Sequence, residues 1–426
     1  MTQIENKAGS PATKWWFLGF ASVALFGNYY VGDAIGPIAD MLNRELGFTD
    51  FQVGSLNAIY SLPNIFLVLI GGLLIDRYGA GRVGFWAAVI CLFGTALSAS
   101  VGEFLPMATG RFFLGVGAET FIVALTVMIA LRFGGHVVAF AMALNLSFGR
   151  LGSYAADLSP MWAGGAYDMG WQGPLMLATV FAALALVGMG ACWWFDAYRP
   201  VQSTPTSMDA AQQTEKFHWR EILEFDRSYW YVAALCVLFY SVVFPFRSTF
   251  AIKYFQHAHG ETLEAASIIN SYVYVAAIVL SPIVGWLADK IGRRGLMMMI
   301  GSLLLPLSFA GLLLEEGGAW ITTGLLGISF SAVPAILWPA VIKLVKPHAM
   351  GTAFGLLTMI QAVGLVAANL IAGSLNDSFS ASADNPAGYT AMLIFFAAVA
   401  STAFVFAWLL WQREKGPEGH GLEDPR

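Results

Sequence analysis

The chain carries one short stretch twice, GLLIDRYGAGR at residues 72–82 and GWLADKIGRRG at residues 285–295. In both copies an opening glycine is followed by an Asp next to a basic residue, and then by a further glycine and arginine. Asp289 follows Asp76 by 213 residues, which is half of the 426-residue chain. This spacing indicates one unit duplicated head to tail.

Strongly apolar sequence surrounds both stretches. Hydrophobic residues make up 58% of the chain, charged residues 12%, and the mean hydropathy is +0.67. One soluble core could not hide so much apolar surface, so the composition predicts a polytopic membrane protein. Apolar stretches long enough to cross about 30 Å of hydrocarbon fall at residues 15–39, 51–75, 82–101, 104–130, 138–161, 172–196, 229–255, 262–288, 295–314, 318–342, 349–375 and 387–412. They predict an all-α membrane fold with twelve transmembrane helices in two six-helix bundles.

The polar segments between these stretches predict the domain organisation. We expect a tail at 1–14, a first bundle at 15–196, a linker at 197–228, a second bundle at 229–412 and a tail at 413–426. With an even number of helices, 17 of the 22 Lys and Arg residues fall on the side of both termini. Because basic residues favour the cytoplasmic side, both termini are expected there, without a cleaved targeting peptide.

Several classes of function find no support in the sequence. No nucleotide-binding loop, metal-spaced His or Cys cluster or nucleophile signature occurs, so we expect no enzyme, no cofactor and no metal. The net charge of -5 is spread out and makes no basic stripe for nucleic acid. The three cysteines, Cys91, Cys192 and Cys236, lie in apolar stretches, which is typical of buried thiols. The expected partners are a small-molecule substrate and the lipid bilayer, with the protein a monomer.

Two charged residues lie deep in the fourth and fifth predicted helices. Glu119 is 15 residues before Gly134 and Arg150 is 15 residues after Gly135, so a helical hairpin puts both at one depth near the membrane midplane. An unpaired charge there costs at least ~2.5–3.5 kcal/mol. One interpretation is a structural ion pair. The other is a clamp for a zwitterion, in which Glu119 receives an ammonium group and Arg150 a carboxylate.

Further charges fall nearer the outer side. Asp33, Arg111 and Asp157 lie at similar depths, and the trio either locks helices together or couples transport to protons through Asp33. Arg247 is a buried base of the second copy and could contact a carboxylate. Lys253 is expected to extend its side chain to the membrane interface.

Uncharged polar and aromatic residues within the helices complete the candidate site. Tyr154 is favoured because Arg150, Tyr154 and Asp157 follow one helix face. Most single Tyr and Trp residues in membrane helices are packing residues or interface anchors. The remaining candidates for substrate binding are Tyr29, Tyr30, Tyr60, Asn57, Asn64, Asn270, Tyr274, Trp338 and Gln361.

The duplicated stretches themselves are predicted to act as gates. A helix-end Asp beside a basic residue can bridge to a neighbouring helix in one conformation and release it in another, while glycine permits the tight turn. The predicted gating residues are Gly72, Asp76, Arg77 and Arg82 in the first copy, and Gly285, Asp289, Lys290 and Arg293 in the second.

The twin stretches resemble the signature between helices two and three of the major facilitator superfamily. RFFLGVG at residues 111–117 resembles that superfamily's fourth-helix motif. A finer resemblance, to the branch of the animal lysosomal dipeptide uniporters, rests on Tyr29, Tyr30 and Asp33 and on residues 60–64, 71–77, 150–153, 337–339 and 351–355. The N-terminus shows no lysosomal sorting signal, so a bacterial relative in an inner membrane is expected, and no accessory subunit is implied.

The resemblance implies a carrier whose two halves alternate access to a central site. We therefore predict transport of a small amphoteric solute, dipeptides or related amino compounds, by uniport or linked to protons. Three alternatives stay open at this point. They are a carrier of sugars or organic anions, a proton-driven exporter of lipophilic drugs, and a membrane receptor without transport.

Overall fold

The computed structural model describes residues 11–133, 137–198, 225–314, 318–346 and 349–424, and all regular structure there is helical. This confirms the predicted all-α class. Most of the predicted linker and of the N-terminal tail lies outside the described residues, as does the turn at Gly134 and Gly135.

Ten helices are described in the first half of the chain. They are α1 (Pro11–Asp33), α2 (Ala39–Leu46), α3 (Asp50–Ser61), α4 (Asn64–Tyr78), α5 (Ala80–Ser100), α6 (Phe104–Arg132), α7 (Val137–Asp157), α8 (Ser159–Trp162), α9 (Gly164–Tyr167) and α10 (Gln172–Tyr198), with a 3-10 turn at Gly36–Ile38.

Seven helices are described in the second half. They are α11 (Arg227–Pro245), α12 (Ala251–His259), α13 (Leu263–Ile291), α14 (Arg294–Leu313), α15 (Gly318–Leu344), α16 (Met350–Ser378) and α17 (Thr390–Glu414), with a π-helical segment at Phe246–Phe250 and a 3-10 turn at Pro386–Tyr389. The π segment joins α11 and α12 into one long span.

Within the described residues, nine helices are long and apolar enough to cross a membrane, or ten if the bent pair Asp50–Leu67 and Ile70–Tyr78 forms one span. The two parts of this pair meet at an angle of 60°. Helices α1 and α7, with 23 and 21 residues, are not among the nine. Twelve membrane helices therefore stay a prediction. Between α3 and α4, Pro63 has no backbone N–H to continue the helical ladder.

The chain divides by its contacts into two compact units, residues 1–34 with 62–208, and residues 35–61 with 209–426. In unit 1, α1 packs on α7 and α10, while α5 packs on α6 and α10. Glycines allow the close approach of these helices. A Cβ atom on Gly152 would lie 2.1 Å from the carbonyl oxygen of Phe26, and one on Gly110 would lie 2.4 Å from that of Gly94.

Unit 2 is built on α11 against α16 and α17, α13 against α15, and α14 against α15 and α17. It includes α3, which packs on α16 although the sequence predicts residues 35–61 within the first bundle. One physical reason is a helix cap. The carboxylate of Asp377 accepts the backbone N–H groups of Asp50 and Phe51, at 2.8 and 2.9 Å, where α3 begins.

Candidate functional site

The acid of the predicted clamp lies beside an amide. Asn64, the first residue of α4, donates from Nδ2 to Glu119 Oε1 on α6 at 3.1 Å. The other atom of the same amide, Asn64 Oδ1, is buried and has no hydrogen-bond partner among the described residues. Close packing supports this pair, because a Cβ atom on Gly71 of α4 would lie 3.0 Å from Thr120 Oγ1 of α6.

Arg150, the base of the predicted clamp, is related to Glu119 through a shared neighbour, Tyr29. This tyrosine of α1 interacts electrostatically with Glu119, Arg150 and Asp33. It also packs on α7, because a Cβ atom on Gly149 would lie 3.3 Å from its ring. Tyr29 therefore has electrostatic interactions with three predicted residues of unit 1, and Asn64 binds one of them, Glu119.

Tyr154 and Asp157 follow Arg150 along α7. Arg150 and Tyr154 are half-buried, whereas Asp157 is buried at 1% exposure. Tyr30 lies elsewhere, since its ring packs on Phe181 at a centroid distance of 4.0 Å in the interior of unit 1. Of the two adjacent tyrosines, only Tyr29 joins the group around Glu119.

Arg111 holds two helices together. Its guanidinium donates to the carbonyl oxygens of Val31 and Gly32, at 3.4 and 3.2 Å, in the last turn of α1. Only 2% of Arg111 is exposed. These contacts favour the helix-locking interpretation for Arg111, while Asp33 stays near Tyr29.

A second group of predicted residues forms in unit 2 around Arg247. Its guanidinium lies over the ring of Tyr274, 4.2 Å from the centroid, which is a cation–π contact. Its backbone carbonyl accepts Nδ2 of Asn270 at 3.2 Å. Because Arg247 lies in the π-helical segment, the backbone there is displaced from the regular helical ladder.

The predicted residues on α3 also contact this segment. Asn57 donates to the carbonyl of Ser248 at 3.1 Å and to Thr249 Oγ1 at 2.7 Å. Thr249 in turn donates to Asn369 Oδ1 at 2.8 Å. Tyr60, one turn further along α3, is half-buried. Asn57 therefore already has structural partners within unit 2.

Aromatic packing surrounds Trp338 on α15. Its Nε1 donates to the hydroxyl of Tyr240 at 3.0 Å, and its ring stacks on Phe354 with centroids 6.0 Å apart. Gln361 accepts a weak hydrogen bond from Cys236 at 3.8 Å. All three cysteines are free and buried, which confirms the prediction for them.

The twin loops differ in their surroundings. In the first loop Asp76, Arg77 and Arg82 are exposed. In the second, Asp289 pairs with Arg294 at 2.8 Å, and Lys290 lies over the ring of Trp286 at 4.9 Å. Gly72 and Gly285 occupy equivalent places, and neither has a heavy atom within 4 Å of an added Cβ.

Sequence reasoning missed a buried ionic cluster in unit 2. Lys253 was expected at the membrane interface, but it is only 5% exposed and pairs with Asp50 at 2.5 Å. Asp50 also accepts Nδ2 of Asn376 at 2.9 Å. The expectation was wrong because both partners of Asp50 are distant in sequence, at separations of 203 and 326 residues.

A histidine extends this cluster. His257 Nε2 bonds Asp40 Oδ1 at 2.8 Å, and the hydroxyl of Tyr389 lies 2.7 Å from His257 Nδ1. Burial alone would raise the pKa of Asp40, but the bond from His257 and the charge of Arg44 hold that pKa below its ordinary value. Only the spacing of Lys253 and His257 on one helix face could have pointed to this cluster.

Comparison with known proteins identifies the family of the chain. The profile of the Major Facilitator Superfamily matches residues 21–368 and, in a second match, residues 246–425. The lysosomal dipeptide transporter MFSD1 of Danio rerio is 29% identical over 408 residues, covering 92% of this chain and 86% of the relative. The probable nitrate/nitrite antiporter NarK1 of Thermus thermophilus is 24% identical over 332 residues, covering 74% and 69%.

The fold is shared with a solved structure as well. A bacterial homologue of the human lysosomal transporter Spinster, crystallised in an inward-facing and unoccupied conformation, superposes with a TM-score of 0.76 at 15% identity. The match covers 98% of this chain and 99% of that structure. Because the superfamily profile spans most of the chain and the helical architecture agrees, the chain belongs to the Major Facilitator Superfamily and is a membrane transporter of that family.

Proposed function

We propose that this transporter is an alternating-access carrier of dipeptides or related amino compounds. The observation that carries the proposal is the group around Tyr29, which has electrostatic interactions with an acid and a base from two helices. Asn64 binds the acid at 3.1 Å, and Tyr29 packs on the helix of the base at Gly149. Intramembrane charges are costly and usually mark substrate or ion pathways. A ligand with one charged group of each sign would offset that cost when it binds.

The chemistry of each side chain fits one end of a zwitterion. Glu119 offers a carboxylate to an ammonium group, and the free carbonyl oxygen of Asn64 can accept a second N–H from the same group. Arg150 presents a planar fork that binds a carboxylate through two hydrogen bonds. Tyr29 and Tyr154 supply hydroxyl and ring surface beside the two ends.

The relatives support this substrate class more than its rivals. The name of the Danio rerio relative specifies dipeptides, and its match spans nearly the whole chain. The name of the Thermus thermophilus relative specifies inorganic anions. Arg150 and Arg247 could bind such an anion, whereas Glu119 would not contribute to its binding. An acid beside the base is therefore the feature that favours an amphoteric solute over an anion.

The wider arrangement belongs to the same proposal. Two six-helix bundles at 15–196 and 229–412 rock about the site, and the loops around Asp76 and Asp289 control access from the cytoplasmic side. Both termini are cytoplasmic, the membrane is a bacterial inner membrane, and the protein works as a monomer without an accessory subunit. Transport is uniport, or is linked to protons through Asp33.

A thermal-shift screen of the purified protein tests the substrate class. Zwitterionic dipeptides, amino acids, sugars and organic acids are compared at millimolar concentrations. We expect stabilisation by dipeptides, because a ligand at 100 times its Kd adds ~2.7 kcal/mol to the stability of the state it binds. N-acetylated and C-amidated dipeptides should stabilise less, since each lacks one charged end.

Two substitutions and two controls make the screen specific. Glu119→Gln and Arg150→Ala should each abolish the dipeptide shift. Thr126→Ala on α6 and Ser147→Ala on α7 should keep it, because both hydroxyls bond only to their own helix backbone in the described residues. Full dipeptide stabilisation in either charge variant would refute the clamp. Stabilisation by organic acids that survives Glu119→Gln would assign the protein to anions instead.

A further inference from the structure

Residues 415–424, which we name the strap, follow α17 and fold back onto the start of α14. The backbone N–H groups of Arg293 and Arg294 donate to the carbonyl oxygens of Glu423 and Leu422, at 3.2 and 2.9 Å. Arg293 has a left-handed backbone conformation with φ of 51°, which turns the chain toward the strap. The strap therefore accepts two consecutive backbone N–H groups of the second loop signature.

Side chains strengthen this pairing. Glu423 Oε1 accepts the backbone N–H of Leu296 at 3.1 Å, in the first turn of α14 where helical N–H groups lack partners. Gly295 leaves room for this contact, because a Cβ atom there would lie 2.6 Å from the same Oε1, and the Glu423 carboxylate would have to shift. Leu422 beside it is completely buried.

The strap also contacts two other helix ends of unit 2. Lys343, in the last turn of α15, donates to the carbonyl of Gly421 at 2.7 Å. The backbone N–H of His420 donates to Glu414, the last residue of α17, at 2.7 Å. Glu414 is itself buried and accepts the hydroxyl of Ser228 at 2.6 Å. The ends of α14, α15 and α17 are thus tied together by ten residues of chain.

Within the described residues, the backbone of the first loop signature makes no equivalent hydrogen bonds to a distant segment. Asp76 and Arg77 are exposed, as are the matching Asp289 and Lys290, so the loops differ in backbone contacts and not in the exposure of these charges. Tyr78, at the end of α4, is 48% exposed. The duplicated sequence predicts the same function for both loops, yet their contacts with the rest of the chain differ in the structure.

We propose that the two loop signatures contribute to access control in different ways, with the second serving as an anchor that the strap holds in place and the first as the loop that exchanges partners. Releasing the second loop from the strap would break three hydrogen bonds, those of Arg293, Arg294 and Leu296, and would expose Leu422. Releasing the strap altogether would also break its bond to Lys343 of α15. Releasing the first loop has no comparable requirement. The second copy of the signature thereby becomes part of the rigid body of unit 2.

Thiol labelling tests the anchor without any substrate. The three native cysteines are buried, so the protein without an added cysteine gives the background labelling rate. In Leu422→Cys we expect labelling by a maleimide at least 100-fold slower than in Tyr78→Cys of the first loop. That ratio means that the strap is released for less than about 1% of the time, because a buried site reacts only while it is open.

A pair of glycine substitutions tests the stated contact. Gly295→Ala should displace Glu423 and speed the labelling of Leu422→Cys at least tenfold. Gly285→Ala, with no atom within 4 Å of the added carbon, should leave the rate unchanged. Equal labelling of Leu422→Cys and Tyr78→Cys would overturn the proposal, as would a Gly295→Ala variant in which Leu422→Cys stays protected. The labelling rates do not depend on whether the protein carries dipeptides. Failure of the anchor proposal therefore leaves the dipeptide proposal undecided, and failure of the dipeptide proposal leaves the anchor undecided.

Discussion

At the scale of single residues, the amide of Asn64 has the most specific consequence for the site. It donates one hydrogen bond to Glu119 and keeps its own oxygen buried without a hydrogen-bond partner in the described residues. Buried polar atoms without a partner are rare in folded proteins, and each calls for an explanation. An ammonium group that reaches both Asn64 and Glu119 would satisfy that oxygen.

We expect Asn64→Leu to weaken dipeptide binding at least tenfold. The substitution removes a hydrogen bond to a charged group, worth roughly 1.5–3 kcal/mol, and also removes the free acceptor. Titration calorimetry on the purified variant measures the change in Kd. Asn64→Asp, which keeps an acceptor but loses the donor, should fall between wild type and Asn64→Leu. Unchanged affinity in Asn64→Leu would exclude Asn64 from the site.

Residue-level prediction from sequence uses counting along one hairpin. Equal distances from one turn predict Glu119 and Arg150 at the same depth, and in the structure Tyr29 has an electrostatic interaction with each of them. The prediction failed for Lys253, whose partner Asp50 lies 203 residues away. No periodicity within one helix encodes such a pairing, so only the packed structure reveals it.

At the scale of secondary-structure elements, the segment that includes α2 and α3 is the unexpected feature. Two of its acids, Asp40 and Asp50, are buried in unit 2. There Asp50 contacts Lys253 and Asn376, and Asp377 caps α3. Helix-period arguments placed an apolar span at 51–75, but Pro63 divides it into α3 and α4. The contact partners of α3 could not be predicted because a helix pattern shows which face is apolar and not what covers it.

The Asp50 and Lys253 pair should behave as a coupled unit in a double-mutant cycle. We expect Asp50→Asn and Lys253→Met each to destabilise the protein by about 3–5 kcal/mol, because each leaves one buried charge uncompensated. The double variant should lose clearly less than the sum of the two. Midpoints of thermal unfolding in detergent measure all four proteins. Additive effects would show that the two charges do not stabilise each other.

Arg44→Gln provides a control for this cycle. Its side chain pairs with Asp40 at 2.7 Å, but 68% of it is exposed. Exposed pairs contribute about 0–1 kcal/mol. The unfolding midpoint should therefore change little, although the charge removed is the same as in Lys253→Met.

At the scale of the whole molecule, the duplicated stretches correctly predicted a repeated helical transporter. The family match and the shared fold confirm the fold class. Repetition of sequence did not predict the difference between the loops, since the backbone N–H groups of Arg293 and Arg294 donate to residues 415–424, far from the repeated stretch in sequence.

Each unit owes its rigidity to close helix contacts at glycine. We expect Gly110→Ala to destabilise the protein by about 1–3 kcal/mol or more, because the added carbon would lie 2.4 Å from the carbonyl oxygen of Gly94 and a well-packed core resists extra volume. Gly324→Ala on α15 is the control, with no atom within 4 Å of the new carbon. Both are measured as shifts in unfolding midpoint. Equal shifts would show that the α5 and α6 contact tolerates separation.

The pairing of Asp50 with Lys253 also bears on how the protein is made. A ribosome adding roughly 5–20 residues per second completes Asp50 about 10–40 s before Lys253, which follows 203 residues later. During that interval the nascent chain holds an acid whose counter-charge has not been synthesised. Residues 35–61 can therefore reach their final contacts only after Lys253, Asn376 and Asp377 have been synthesised in the second half of the chain.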